Sequence, residues 1–140
     1  MSKRLLHLAA AVSLAAFSTS AMADSHAAGD VTKGEKVFKK CAACHAVGEG
    51  AKIKVGPPLT DVVGRKAASF EGYKYGKSII AAGEAGLVWS EEELADYLIN
   101  PKKYLRAKLE DKKAKSKMAF RLKKEDDRAN VIAYLKSLGN

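Results

Sequence analysis

The stretch KKCAACHAVG, residues 39–48, contains both cysteines of the chain, Cys41 and Cys44, with His45 directly after them. Two thiols separated by two residues are typical of a redox dithiol, half of a zinc site, a structural disulfide or a covalent anchor for a haem. The histidine favours the anchor, because C-x-x-C-H is the attachment pattern of a c-type haem. The rest of the chain has to support or oppose that interpretation.

The alternatives fit this sequence less well. A thioredoxin-type dithiol follows a strand of a βαβ unit, whereas the residues before Cys41 have helical spacing. A zinc site needs four ligands, and residues 24–140 contain only two cysteines and two histidines. A plain disulfide remains compatible with an exported protein. The pattern therefore favours one haem c, attached through Cys41 and Cys44, with His45 as an iron ligand.

The first 23 residues have the features of a cleaved secretory signal peptide. Lys3 and Arg4 precede a thirteen-residue, largely apolar run at positions 5–17, and Ala21 and Ala23 are the small residues that a signal peptidase recognises. An uncleaved anchor is the alternative, but the apolar run is short for a bilayer. We therefore expect a single mature domain of residues 24–140, soluble and located in the periplasm.

The remaining sequence predicts an all-α fold of four to five short helices joined by long loops. Asp30 is placed to cap the first helix, and Ser90 with Glu93 forms a capping box at the start of a later one. Residues 101–124 are expected to be a long basic connection. Long ordered loops in a small domain usually enclose something, which here would be the haem. The segments predicted as helices are residues 31–41, 74–83, 90–100 and 125–138.

The second axial ligand determines what a haem iron does. An open position allows the iron to bind gases or peroxide, as in a small peroxidase or a sensor, whereas a strong ligand restricts it to electron transfer. Met118 is the only methionine in residues 24–140. A lone methionine is more often core filling, but a His-ligated haem needs a cap, and a soft sulfur raises the reduction potential. We therefore expect His45 and Met118 to ligate the iron.

Five motifs occur in the order found in class I c-type cytochromes. The chain most resembles the mitochondrial-like branch that includes periplasmic cytochrome c2 of bacteria, and the resemblance covers residues 29–139. It implies the small cytochrome c fold, wrapped around one covalent haem, in a protein that carries electrons and is not an enzyme. The motifs are KGEKVFKKCAACH, VGPPLTDVVGRKA, LVWSEEELADYLINPKKYL, KMAF and VIAYLKSLG.

The resemblance also implies roles that spacing alone does not assign. Pro57 would accept a hydrogen bond from His45 through its carbonyl group and so fix the ring, and Tyr97 would lie near the sulfur of Met118. The first and last helices would cross at four residues, where a glycine permits close approach. Those residues are Gly34, Phe38, Val131 and Tyr134.

Three further residues would hydrogen-bond the buried haem propionate, because an unpaired carboxylate is costly in a low-dielectric interior. They are Arg65, Tyr75 and Trp89. Without the resemblance, Arg65 would be interpreted as a surface charge and Trp89 as a core residue. The chain departs from mitochondrial-type members in the segment LRAKLEDKKAKSK, residues 105–117, which is longer and lacks their proline and glycine.

Positive charge is concentrated in residues 102–124, which contain eleven basic and two acidic residues, a net charge of +9. A solvated loop would explain this composition, and nucleic-acid binding is opposed by the export signal and by the lack of interleaved aromatic residues. Docking onto acidic partners by electrostatic steering is the third interpretation. The lysines expected to take part are Lys39, Lys54, Lys102, Lys103, Lys112, Lys113, Lys115, Lys117, Lys123 and Lys124.

These observations predict a monomeric electron carrier with one haem c. By resemblance, the donor would be a bc1-type complex, and the acceptor a photosynthetic reaction centre, a terminal oxidase or both. Contact with the membrane would be transient and limited to docking on the acidic surfaces of these complexes. The alternative is an open-haem peroxidase or a ligand-binding haem sensor.

Overall fold

The computed structural model describes residues 28–139, and the predicted signal peptide of residues 1–23 therefore lies outside the described residues. The described chain forms five helices and no strand, with one isolated antiparallel bridge between Lys66 and Val88. The prediction of an all-α fold with four to five short helices is confirmed. The helices are α1 (Val31–Phe38), α2 (Lys77–Glu84), α3 (Glu91–Ile99), α4 (Pro101–Lys108) and α5 (Glu125–Ser137).

The caps that begin α1 and α3 are those expected from the sequence. A side-chain oxygen of Asp30 accepts the backbone N–H of Lys33 at 2.8 Å, and Oγ of Ser90 accepts that of Glu93 at 3.2 Å. Each cap satisfies one of the backbone donors left unpaired in a first helical turn. The capping box is only half formed, because the backbone N–H of Ser90 donates to the carbonyl of Val88 instead of to Glu93.

The expectation of a continuous loop over residues 101–124 was wrong for its first third, because α4 occupies Pro101–Lys108. Asn100 lies between α3 and α4, and its side-chain oxygen accepts the backbone N–H of Lys103 at 3.1 Å. Pro101 occupies the first helical turn, where its missing N–H costs nothing and its fixed φ angle suits the helix. The residue pair that ends α3 therefore also begins α4.

Helices α1 and α5 pack against each other at Gly34. A Cβ atom added at Gly34 would lie 2.0 Å from the carbonyl oxygen of Asn130 and 2.7 Å from Cβ of Tyr134, so only glycine fits this crossing. The rings of Phe38 and Tyr134 lie 5.6 Å apart beside it, and Val131 is almost completely buried. The four residues that the resemblance assigned to the crossing are thus together.

One hydrophobic cluster unites the helices with the loops between them. It includes Leu94 and Tyr97 of α3, Leu105 of α4, and Val131 and others of α5. Cys41 and Met118, which are far apart in sequence, both pack against this cluster. The fold therefore brings the cysteine-containing turn and the methionine-containing loop to a common core. Within residues 28–139 no helix has the length and apolar character needed to cross a membrane.

Candidate functional site

The two cysteines and His45 lie in tight turns that continue the chain from the end of α1. The carbonyl oxygen of Cys41 accepts the backbone N–H of Cys44 at 3.0 Å and that of His45 at 2.9 Å. Both thiols are free, that of Cys44 exposed and that of Cys41 half-buried. Burial raises the pKa of the Cys41 thiol, partly offset by Lys40.

The His45 ring is fixed on one side by the loop that contains Gly56 and Pro57. Nδ1 of His45 lies 2.7 Å from the carbonyl oxygen of Pro57. Because a carbonyl can only accept, Nδ1 carries the hydrogen and Nε2 keeps its lone pair. Burial lowers the pKa of His45, the bond to Pro57 opposes that effect, and the charge of Lys54 adds to it. The imidazole is thus held in the neutral form that binds a metal ion through Nε2.

Gly56 makes this arrangement possible because it leaves room for the ring. Its backbone N–H donates to the carbonyl of Cys44 at 2.8 Å, so the loop is bonded directly to the turn. A Cβ atom at this position would lie 2.3 Å from Cε1 and 2.7 Å from Nδ1 of His45. Any other residue would displace the ring or the loop.

Met118 is half-buried, and the hydroxyl of Ser116 fixes its backbone. Oγ of Ser116 donates to the carbonyl oxygen of Met118 at 2.9 Å and accepts the N–H of Met118 at 3.2 Å. The phenol oxygen of Tyr97 lies 3.5 Å from the same Oγ, at the limit of a hydrogen bond. Burial raises the pKa of Tyr97, so the phenol stays protonated. The Tyr97 hydroxyl is therefore close to the loop that contains Met118.

Ser116 was not singled out from the sequence as a site residue. A serine hydroxyl often hydrogen-bonds the backbone of the residue two positions further along the chain. The place of Ser116 two residues before Met118 is the sequence signal for this contact. The segment before Ser116 is also ordered by side-chain contacts. Nε of Arg106 donates to the carbonyl of Ala114 at 3.2 Å, Ala114 is buried, and Oγ of Ser78 accepts the backbone N–H of Lys115 at 2.9 Å.

The Arg65 guanidinium is half-buried and bonded to the backbone of a neighbouring loop. It donates to the carbonyl oxygens of Pro58 at 3.0 Å and Thr60 at 3.1 Å, and it lies over the ring of Phe70. Burial lowers the pKa of Arg65, and the neighbouring Tyr75 hydroxyl counteracts this effect. Arg65 is therefore not the free surface charge that its sequence context alone favoured.

Tyr75 and Trp89 occupy different environments. Burial raises the pKa of Tyr75, while a hydrogen bond with the backbone of Phe70 and the charge of Arg65 lower it. Tyr75 therefore lies close to Arg65. Trp89 is buried, and its ring lies 4.9 Å from that of Tyr97. The structure thus connects Arg65 with Tyr75, and Trp89 with Tyr97, in two pairs.

The donor set of the cysteine-containing turn fits a covalently attached haem. It offers two free thiols three positions apart and, in the next residue, an imidazole with an available nitrogen. A zinc ion would require further ligands, and the described part of the chain contains no cluster of three or more His, Cys, Asp or Glu side chains that could hold a metal ion.

The chain is similar to known proteins over most of its length. The family model for cytochrome c matches residues 31–139. Cytochrome c2 of Pararhodospirillum photometricum is 51% identical over 112 residues, which is 79% of this chain and 99% of that protein. Cytochrome c2 of Rhodospirillum rubrum is 49% identical over 110 residues, again 79% of this chain and 98% of the relative.

Solved structures agree with this assignment. Cytochrome c2 from Rhodospirillum centenum superposes with a TM-score of 0.77 at 47% identity, covering 80% of this chain and all of that one. Cytochrome c2 from Paracoccus denitrificans gives a TM-score of 0.72 at 43% identity over 79% of this chain and 96% of the other. Together with the C-x-x-C-H pattern, these matches imply a covalent haem c. The chain belongs to the cytochrome c family as a cytochrome c2-type electron carrier, an electron-transfer protein rather than an enzyme.

Proposed function

We propose that the chain binds one haem c through thioether bonds to Cys41 and Cys44, with the iron ligated by His45 and Met118. In this state it transfers single electrons in the periplasm, from a bc1-type complex to a photosynthetic reaction centre, a terminal oxidase or both. The observation that carries the proposal is the 2.7 Å contact between His45 and Pro57 directly after the two free thiols. The haem supplies the one-electron chemistry, and the protein supplies its attachment and surroundings.

His45 has the stronger support of the two proposed ligands. The N–H at Nδ1 donates to Pro57, so the lone pair of Nε2 is the one available to bind the iron. A bond of this kind also raises the basicity of a ligating imidazole and fixes the ring orientation. Gly56 and Pro57 thus act through His45, by holding it in one orientation and one tautomer.

Met118 is supported by its chemistry and by the way its loop is held. It is the only methionine within the described residues, and it packs half-buried against the same core as Cys41. Ser116 bonds both polar backbone groups of Met118, so the side chain projects from a fixed backbone. A thioether favours ferrous iron, which gives a higher potential than a second histidine would. The open-haem alternative needs this position to be vacant.

The remaining residues are proposed to stabilise the haem propionate and to tune the methionine. Arg65 is bonded to two neutral carbonyls, so its positive charge is not compensated by them and is available to a buried carboxylate. Tyr75 lies beside it, and Trp89 is the third proposed donor. Tyr97 is proposed to adjust the environment of the Met118 sulfur, since its hydroxyl contacts Ser116.

Docking is proposed to use the basic segment of residues 102–124 together with Lys39 and Lys54. The ten lysines named from the sequence are all exposed, although Nζ of Lys54 donates to the carbonyl of Ala42 and Nζ of Lys117 donates to that of Lys74. The other eight thus have greater freedom to meet acidic surfaces, and transient, charge-guided contact suits a carrier. We further propose that residues 1–23 are a removed signal peptide and that residues 24–140 are one monomeric domain.

Absorption spectroscopy of the purified, exported protein in both redox states tests the proposal. We expect a covalent c-type haem, retained on a denaturing gel, and a sulfur-to-iron charge-transfer band in the oxidised state. Carbon monoxide should not bind the reduced protein readily. A colourless protein of unmodified mass contradicts the haem assignment. A haem protein that lacks the band and binds carbon monoxide supports the peroxidase or sensor instead.

A further inference from the structure

One carboxylate of α3 accepts hydrogen bonds from two side chains of α4. The hydroxyl of Tyr104 donates to one oxygen of Glu93, and Nζ of Lys108 donates to the other. Tyr104 and Lys108 are four residues apart, so they project from the same face of α4. Glu93 therefore connects the first turn of α3 to the middle and the end of α4.

This use of Glu93 differs from the one that the sequence indicates. In a complete capping box its side chain would bind the backbone N–H of Ser90, but that N–H is bonded to Val88. Burial alone would raise the pKa of Glu93, yet the hydrogen bonds from Lys108 and Tyr104 outweigh it and lower the pKa overall. The carboxylate is thus ionised at neutral pH and committed to α4.

The ring of Tyr104 connects this link to the proposed site. It packs at 5.5 Å in an edge-to-face arrangement against the ring of Tyr97, whose hydroxyl contacts Ser116. Burial, followed by the hydrogen bond to Glu93, raises the pKa of Tyr104 and keeps its hydroxyl a donor. Loss of the carboxylate would remove the hydrogen bond that fixes the Tyr104 hydroxyl and leave the ring held by its contacts with Tyr97 and Trp89 alone.

The chain between α4 and Met118 is in turn held by α4. Arg106 donates to the carbonyl of Ala114, and the carbonyl of Arg106 accepts the backbone N–H of Asp111 at 3.1 Å. These two bonds fold residues 109–114 back onto the helix. Beyond them, Ser78 holds Lys115 and Ser116 holds Met118. A shift of α4 relative to α3 would therefore be transmitted to the methionine loop.

We propose that Glu93 is a positioning residue for Met118, which restrains α4 and thereby slows displacement of Met118 by other ligands. This inference rests on the proposed function, in which Met118 ligates the iron. The Glu93 side chain is hydrogen-bonded to Tyr104 and Lys108, and not to Met118 or the turn of Cys41 to His45. Its effect is exerted through α4 and the loop that follows it.

The test compares Glu93→Gln with Glu91→Gln in the haem-containing protein. Both glutamates lie in the first turn of α3, and Glu91 pairs with Lys136 of α5 as Glu93 pairs with Lys108 of α4. The two substitutions remove the same charge from the same helix end and break one ion pair each. Only Glu93→Gln weakens the connection to α4, so Glu91→Gln controls for helix-dipole and general stability effects.

Two measurements are made on each oxidised protein. Hydrogen exchange follows the backbone amides of Ala114 and Lys115, and stopped-flow absorbance follows imidazole binding to the iron. In Glu93→Gln we expect both rates to rise about five- to tenfold, because one charged hydrogen-bond acceptor of a local opening unit is lost. In Glu91→Gln both should remain within about twofold of wild type, as expected for an exposed pair that does not contact α4. Tyr104→Phe, which keeps the ring, should accelerate both rates in the same direction.

The outcomes separate the two proposals. If the wild-type protein lacks the sulfur-to-iron band, the assignment of Met118 fails, and this inference fails with it. If the band is present but Glu93→Gln and Glu91→Gln behave alike, only the role of Glu93 is overturned. Faster exchange without faster imidazole binding also overturns it, because restraint of the loop would then not control the ligand.

Discussion

Nδ1 of His45 donates a hydrogen bond to the carbonyl oxygen of Pro57 at 2.7 Å, across a loop closed by the bond from Gly56 to Cys44. The carbonyl belongs to the backbone, so its position depends on the loop rather than on the identity of one side chain. Gly56 is the residue on which that loop depends, because the His45 ring occupies the space of a Cβ atom. The orientation of the proposed iron ligand is thus set by a glycine that forms no hydrogen bond to it.

Gly56→Ala should therefore damage the site. The added methyl would lie 2.3 Å from Cε1 of His45, so the ring must turn away from Pro57 or the loop must move. We expect the free energy of unfolding to fall by about 1–3 kcal/mol, as for other overpacked positions. Denaturant unfolding monitored by absorbance measures this loss.

Gly76→Ala is the matched control for that substitution. A Cβ atom at Gly76 would meet only the flexible side chain of Lys117, at 3.3 Å, and Gly76 precedes α2 without a side-chain cap. Its cost should stay below about 1 kcal/mol. Equal losses in the two variants would show that the contact with His45 has no particular importance.

Met118→Ala tests the distal ligand directly. Without the thioether, the iron would lose a ligand that favours its ferrous state, and we expect the reduction potential to fall by about 0.1 V or more. Carbon monoxide should bind the reduced variant, and turnover with redox partners should be lost. Phe120→Ala, two residues away at a partly exposed position, should change neither property. An unchanged potential in Met118→Ala means that another group ligates the iron.

The features that were predicted correctly from the sequence are those formed between residues close together in the chain. Asp30 and Ser90 cap helices within three residues of themselves, so a short window contains the whole interaction. The Cys41 to His45 turn is equally local. Helix α4 was missed because residues 101–124 were interpreted as a connection, although asparagine at the cap followed by proline can begin a helix.

Other features depend on which partner a side chain finds in three dimensions. The sequence predicts that the Glu93 carboxylate accepts the backbone N–H of Ser90. It instead accepts hydrogen bonds from Tyr104 and Lys108, eleven and fifteen residues away. Arg65 carried no local sign that it would bond two carbonyls. The role of Pro57 came from family resemblance, because its side chain takes no part in the bond to His45.

Gly34→Ala measures the importance of the crossing between α1 and α5. Alanine is the better helix former by about 1 kcal/mol, but its Cβ would lie 2.0 Å from the carbonyl oxygen of Asn130, a backbone atom that cannot turn aside. We expect a net destabilisation of about 2 kcal/mol or more in denaturant unfolding. Glu35→Ala, on the exposed side of α1, should be neutral or slightly stabilising. Stabilisation by Gly34→Ala is incompatible with this packing.

Glu93 should make the free energy of unfolding depend on pH in the acid range. Its folded-state pKa is lowered below the ordinary 4.5, because the hydrogen bonds from Lys108 and Tyr104 outweigh burial. A lowered pKa contributes stability that is complete above the ordinary value and is lost as the pH falls through the folded-state value. The difference in unfolding free energy between wild type and Glu93→Gln should therefore be constant above about pH 5 and shrink below pH 4.5. A difference that grows on acidification contradicts the direction of this shift.

Charge on the methionine side of the molecule should control the rate of reaction with partners. Lys112 and Lys113 lie exposed in the loop after α4, within the segment of net charge +9. Replacing both by glutamine should slow electron transfer to an acidic redox partner about three- to tenfold at low ionic strength, with little effect in high salt. Stopped-flow kinetics with a membrane oxidase, over a range of salt concentrations, measures the effect.

The paired substitution Lys33→Gln and Lys36→Gln removes the same charge from α1, outside the basic segment, and should slow the reaction less. If the two double variants lose rate equally at every ionic strength, net charge and not a docking surface governs the encounter.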